Sequence, residues 1–260
     1  MVVTKLPDIS AAQLTPGVMN RMTVVLDASH GGTDPGARIG ESILEKDVTL
    51  SLALKLQSLL AARGFTVAMT RTTDAADKPG AAGTPLTLDD RASIANRARA
   101  SACLQLHAAS SGNGVHLYSS DLDGMPAEAA VMPWSTAQAA WVTESAHLER
   151  QLSDALRRSG VPRVAGRAAV RPVDSLTCPA VVVELAPESE DLNSVNDSAY
   201  QQRVAEAIAG ALELWPTQTQ PPPRLPPASQ KPKTALTQPA PRVPAPIVRV
   251  PAAQVPGAQP

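Results

Sequence analysis

The sequence predicts an α/β fold, with a mixed, mostly parallel sheet and helices on both faces. Two observations predict it. Short runs of β-branched and apolar residues alternate along the chain with segments of helical period. Several of those runs are apolar throughout, as strands covered on both faces are. A third observation concerns chemistry: histidine and glutamate stand where several of the apolar runs end.

The elements follow in order. Thr23-Val-Val-Leu-Asp27 breaks into Ser29-His-Gly-Gly32, which reads as a buried strand running into a loop. From Glu45 onward, Val48, Leu52, Leu56, Leu59 and Leu60 recur at helical spacing, and Gly64 supplies a stop. Phe65–Met69 is the next strand, and Asp77–Pro85 is a Gly/Pro/Ala-rich loop. Thr87 with Asp90 three residues on forms a capping box, opening a helix to about Ala100. Ala102–Leu106 is a strand that ends at His107, and Gly114–Tyr118 is another. One long helix is expected from Thr136 to Arg158, capped by Ser135 and stopped by Gly160, with Trp141, Leu148, Leu152 and Leu156 inward. Pro179–Glu184 is a further buried strand. A last helix, Ala199–Leu214, turns Val204, Ile208 and Leu212 inward.

Composition sets the domain limits. The 260 residues are 43% hydrophobic, enough for one sizeable core. Residues 21–215 form the expected folded unit, preceded by a poorly ordered extension, 1–20. From Pro216 to Pro260 the chain holds 14 of its 25 prolines, five basic residues and no acid. That stretch lacks apolar periodicity and is expected to be a disordered, basic tail. The net charge of −1 therefore divides into +5 on the tail and −6 on the rest. Such a tail can associate loosely with an anionic wall or membrane surface. The mildly acidic folded unit and the 2% aromatic content exclude a dedicated nucleic-acid binder. No segment approaches the roughly 18 apolar residues that span a bilayer, and the first twenty residues carry no apolar run of signal-peptide type. Cys103 and Cys178 give no metal spacing; buried thiols are the default, and a bridge requires their strands to be neighbours.

His30, His107 and Glu184 end buried strands, and Glu45 starts the first helix. In open α/β sheets ligands collect beyond the carboxyl ends of the strands, so such groups can converge. Two imidazoles and a carboxylate suit a catalytic zinc, which keeps a fourth position open for water. A second carboxylate nearby could serve as a base. Each residue has a plainer reading. A histidine after a strand is commonly a hydrogen-bonded loop residue, and Glu45 is favourable in a first helical turn. Glu184 is harder to set aside, because burying a lone carboxylate is costly.

The neighbouring residues add more. Asp27-Ala-Ser-His-Gly-Gly-Thr-Asp-Pro-Gly-Ala37, Glu45-Lys-Asp-Val48, Thr70-Arg71, Arg91 with Ala95-Asn96, Leu106-His-Ala108 and Pro179-Ala-Val-Val-Val-Glu184 follow one another in fixed order. As an ordered set they resemble the zinc-dependent N-acetylmuramoyl-L-alanine amidases of the amidase 3 family, over about residues 22–214. The resemblance implies an α/β sandwich around a mixed sheet. It implies cleavage of the amide between N-acetylmuramic acid and L-alanine in peptidoglycan, in the periplasm or cell envelope. It implies one Zn2+ per chain on His30, Glu45 and His107, with Glu184 catalytic. Asp34 would orient a ligand histidine or form the turn. Arg71, Arg91 and Asn96 match family positions, as buried anchors before substrate contacts. The chain is expected to act as a monomer.

Two departures flank the site. Ala109 stands where the family has Asn, and Leu185-Ala-Pro-Glu-Ser-Glu190 replaces its Gly-Phe segment, with Glu188 and Glu190 expected in a solvated loop. Alternation leaves the direction of His116 open, and His147 is expected to be solvated; neither is assigned to the metal. Two rival functions remain: a catalytically weak peptidoglycan-binding module, and a zinc peptidase of related fold. Phosphate binding by the Gly31–Gly36 loop has little support, since no Gly-Lys-Ser/Thr follows it.

Overall fold

In the computed structural model, which describes residues 22–74, 84–125 and 131–215, the alternating runs form a six-stranded sheet. The order along the chain is β1 (Thr23–Ala28), β2 (Arg38–Ile39), β3 (Ile43–Leu44), α1 (Glu45–Ala62), β4 (Thr66–Met69), α2 (Leu88–Arg97), β5 (Ala102–Ala108), β6 (Val115–Ser120), α3 (Val142–Arg158), β7 (Arg163–Ala168), β8 (Ala180–Leu185) and α4 (Ser198–Glu213). The sheet order is β4-β1-β5-β8-β6-β7, while β2 and β3 pair separately. All neighbours in the large sheet run parallel except β6 and β8, which are antiparallel. The expected mixed, mostly parallel sheet is therefore present. The expected extension 1–20, the tail 216–260 and most of the loop 77–85 lie outside the described residues.

Period-two alternation divides the strands between two cores. Val24, Leu26, Leu104, Leu106, Val181 and Val183 face one side, packed with Leu52 and Leu56 of α1, Leu148 and Leu152 of α3, and Val204 and Ile208 of α4. Val25, Cys103, Ala180 and Val182 face the other, packed with Ala92 and Ala95 of α2. Burial on both faces explains why these strands read as continuous apolar runs.

Local signals set the boundaries. Thr87 and Asp90 make both bonds of the capping box at α2. Asp197 caps α4 by accepting from the Tyr200 amide. The single long helix expected from Thr136 is instead a 3-10 segment, Trp134–Ala140, followed by α3, with Ser135 capping neither. The break falls at Trp141, whose φ of −126° and ψ of 5° are not helical. Sequence reading also passed over three strands. β7 has an Arg-Val-Ala-Gly-Arg-Ala sequence and sits at the sheet edge, where it needs no apolar alternation. β2 and β3 are two residues each.

The default of buried thiols is corrected: Cys103 and Cys178 form a disulfide across 6.2 Å between Cα atoms. β5 and β8 are neighbours, with Cys103 in register with Ala180, so the one condition for a bridge is met. The bond ties β5, which carries His107, to the segment just before β8, which carries Glu184. It closes a loop of 75 residues, worth about 4 kcal/mol in the chain-entropy account. The double variant Cys103→Ala/Cys178→Ala is expected to melt roughly 10 °C lower than the parent. A calorimetric scan with both proteins oxidised checks this; equal melting temperatures would count against the bridge.

Candidate metal centre

The site lies beyond the carboxyl ends of β1, β5 and β8, where an open α/β sheet gathers ligands. His30 follows β1 in a left-handed backbone conformation, φ 64°. A non-glycine residue adopts that only when its surroundings hold it. Arg91 supplies the hold: it donates to the His30 carbonyl at 2.7 Å, to the Ala28 carbonyl at 2.9 Å and to Asp27 Oδ1 at 2.6 Å. Arg71 is buried beside it, donating to the carbonyls of Ala28, Ser29, Thr73 and Lys46 and to Thr49 Oγ1. Both arginines thus anchor the loop backbone. Asn96 does the same for the segment before β8, bonding the Ser175 carbonyl and the Thr177 amide.

Glu45 opens α1 and is the centre of the cluster. Its side chain is 6% exposed, and its two oxygens meet two imidazoles: Oε1 lies 2.7 Å from His107 Nδ1 and Oε2 lies 3.2 Å from His30 Nε2. The Ala37 and Ala108 amides also donate to it. Burial pushes the Glu45 carboxyl up, but the bonds from His107, His30 and Ala37 outweigh it and hold the carboxyl far below its usual range. The bond to Glu45 raises His30 above its ordinary value against the pull of burial, and Asp34 adds to it.

Each imidazole is fixed from behind. His30 Nδ1 bonds Asp34 Oδ2 at 2.9 Å, and Asp34 Oδ1 accepts from the Gly36 amide. His107 Nε2 lies 3.0 Å from Ser29 Oγ. These contacts leave His30 Nε2 and His107 Nδ1 as the nitrogens turned toward Glu45. Donor atoms of His30, Glu45 and His107 all lie within 4.8 Å of one another. Gly36 seals the cluster. At φ +66°, a Cβ there would stand 2.6 Å from His30 Cδ2 and 2.7 Å from Glu45 Oε2.

Glu184 sits beside this cluster. β5 and β8 put His107 and Glu184 in register, and β8 and β6 put Glu184 in register with His116. The three side chains form one row across adjacent strands. Glu184 Oε1 accepts from His116 Nδ1 at 2.8 Å.

A profile of the N-acetylmuramoyl-L-alanine amidase family, Amidase_3, matches residues 24–214. The chain belongs to that family. Among curated relatives, this amidase is 27% identical to the germination-specific N-acetylmuramoyl-L-alanine amidase of Bacillus subtilis, over 77% of this chain and 82% of the relative. A 54-residue stretch is 52% identical to the probable cell wall amidase LytH of Staphylococcus aureus, 20% of this chain and 19% of that protein. Solved structures resemble this amidase as well. The N-acetylmuramyl-L-alanine amidase Ami1 from Mycobacterium smegmatis superposes with a TM-score of 0.60 at 22% identity, over 75% of this chain and 96% of that one. An N-acetylmuramoyl-L-alanine amidase from Clostridium difficile 630 gives 0.58 at 24%, over 75% and 97%. At these identities the likeness is one of fold.

Geometry therefore brings His30, Glu45, His107 and Asp34 of this amidase together, with Glu184 on the adjacent strand and Arg71 and Arg91 beneath as anchors. Ser29 and His116 were missed as site residues. Ser29 adjoins His30 in the motif, a hydroxyl at the end of a buried strand; His116 needed the β6–β8 register. The loop after β8 also differs from expectation. Glu188 is not merely solvated, since Arg203 on α4 binds both its oxygens, and Tyr200 donates to the Ala186 carbonyl. His147 is exposed, its ring centroid 5.3 Å from that of Trp215 in a T-shaped contact.

Proposed function

We propose that this amidase is a zinc enzyme that hydrolyses the amide between N-acetylmuramic acid and L-alanine in peptidoglycan. His30 Nε2, Glu45 and His107 Nδ1 would hold the ion, and Glu184 would act as the base. The observation that carries this reading is the single row in which Glu184 stands next to His107. It sets a carboxylate beside a cluster whose donors are two imidazoles and a carboxylate. That donor set and number suit a catalytic zinc with one position left open. The close approach of Gly36 to both His30 and Glu45 supports a cluster built to be compact.

When bound, zinc supplies Lewis acidity, acidifying a water and stabilising negative charge on the attacked carbonyl oxygen. Glu184 takes a proton from the attacking water as its oxygen bonds the lactyl carbonyl carbon. The carbon–nitrogen bond then breaks, and Glu184 returns the proton to the departing L-alanine nitrogen. Asp34 and Ser29 hold the two imidazoles in the tautomers that turn Nε2 and Nδ1 inward. The products are a lactyl carboxylate on the muramic acid and a stem peptide with a free amino terminus.

The substrate is a wall polymer, so the place of action is the periplasm or cell envelope. The Cys103–Cys178 disulfide supports an oxidising compartment outside the cytoplasm. No helix among the described residues is long and apolar enough to cross a membrane. The protein is assigned as a monomer, with residues 21–215 as the catalytic unit.

Digestion of purified sacculi tests the reading. Treatment is expected to release free L-alanine amino termini, to stop after chelation and to resume with added zinc. Cleavage within the stem peptide would favour the zinc peptidase. Tight binding without cleavage would favour the binding module. Digestion indifferent to chelation would remove the metal from the mechanism.

A further inference from the structure

A general base works only if its oxygen is held toward the water it deprotonates. A glutamate has three rotatable side-chain torsions, so something must fix it. Among the described residues, the side-chain hydrogen bond of Glu184 runs away from the metal cluster, to His116. His116 comes from β6, the one strand that runs antiparallel to its neighbour in the row. Its side chain is 13% exposed and that of Glu184 27%, so the pair is partly sheltered from water.

The His116 ring is itself confined. Gly112, in the turn before β6, approaches so closely that a Cβ there would stand 2.1 Å from Cε1 and 2.4 Å from Nε2 of the imidazole. Gly112 holds φ +103°, a conformation that side chains rarely adopt. Two residues along the same strand face, the Tyr118 ring meets His116 edge-on, with ring centroids 6.4 Å apart. The turn therefore gives up a side chain at the place where the ring lies. The imidazole is set with Nδ1 toward Glu184 and Nε2 toward the turn. An ionised carboxylate has no proton to donate, so Nδ1 carries the proton in this bond.

We propose that His116 is the positioning residue for Glu184. Its Nδ1–H holds Oε1 and leaves Oε2 as the oxygen that takes and returns the proton. This rests on the proposed role of Glu184. His116 acts through the carboxylate alone and not on the metal cluster or the scissile bond. It follows that losing the N–H slows the chemical step and leaves ground-state binding unchanged.

The test is steady-state kinetics on a soluble N-acetylmuramoyl-L-alanyl peptide with zinc-loaded protein. His116→Leu and His116→Phe both lack the N–H, and the Phe variant also keeps a ring against Gly112. Both are expected to lower kcat about 10–100-fold, the usual cost of removing a partner that orients a site group. KM, zinc content and melting temperature are expected to stay at parental values. His116→Asn, whose amide N–H can reach the same oxygen, is expected to recover much of kcat. Glu184→Gln is the reference for lost base function. Parental kcat in His116→Phe beside an inactive Glu184→Gln would overturn the inference and leave the base assignment standing. A raised KM with unchanged kcat would overturn it too, making His116 a substrate contact. Full turnover by Glu184→Gln would instead overturn the base assignment itself.

Discussion

Glu184→Gln is expected to lower turnover on sacculi by about 10²–10⁴-fold, the range that a positioned acid–base group contributes. The substitution is nearly isosteric. The amide oxygen can still accept from His116 Nδ1, so the row across β5, β8 and β6 keeps its packing. What goes is the basic oxygen. A carboxamide cannot take a proton from water near neutral pH, so neither the attack nor the departure of the amine is assisted. None of the donors in the His30–Glu45–His107 cluster is altered. Zinc content and melting temperature should therefore match the parent, which separates this variant from a misfolded one. Release of free amino termini from sacculi measures the rate. A Glu184→Gln protein that digests at the parental rate would remove Glu184 from the chemistry.

How much of this was legible beforehand follows from what kind of information each feature needs. β1, β5 and β8 were readable because burial on both faces leaves continuous apolar runs, and their ends marked His30, His107 and Glu184. Placement at strand ends is local information. Register is not. That His107, Glu184 and His116 share one level depends on β5 and β8 being parallel neighbours and on β6 returning antiparallel. No spacing within a strand encodes either relation. The disulfide was undecidable for the same reason, since it depends on β5 lying against the segment before β8. β7 escaped because an edge strand with two arginines carries no burial signal. The break at Trp141 escaped because the apolar period of α3 continues through it, while the backbone does not. For Arg71 and Arg91 the sequence favours backbone anchoring before substrate contact. A buried guanidinium needs several acceptors, and loop carbonyls supply them.

Metal affinity should be graded across the cluster, and the grading separates ligands from the groups behind them. His107→Ala removes one of three donors and leaves Glu45 Oε1 facing a gap, where it now accepts from His107 Nδ1 at 2.7 Å. Two protein donors do not make a catalytic zinc site, so zinc binding is expected to fall by well over 100-fold. Asp34→Ala keeps all three donors. It frees His30 Nδ1, so the ring can turn and the inward tautomer is no longer selected; affinity is expected to fall about 10–100-fold. Removing Asp34 should also be milder because its carboxylate is about half exposed, at 47%, where solvent weakens its hold. Competition against a chromophoric chelator gives the affinities directly. Melting curves with rising zinc give them independently, since an ion that binds the folded state alone raises its stability with concentration. The expected order is parent, then Asp34→Ala, then His107→Ala. If His107→Ala binds zinc as tightly as the parent, the ion sits elsewhere. If Asp34→Ala matches His107→Ala, Asp34 does more than orient His30 from behind.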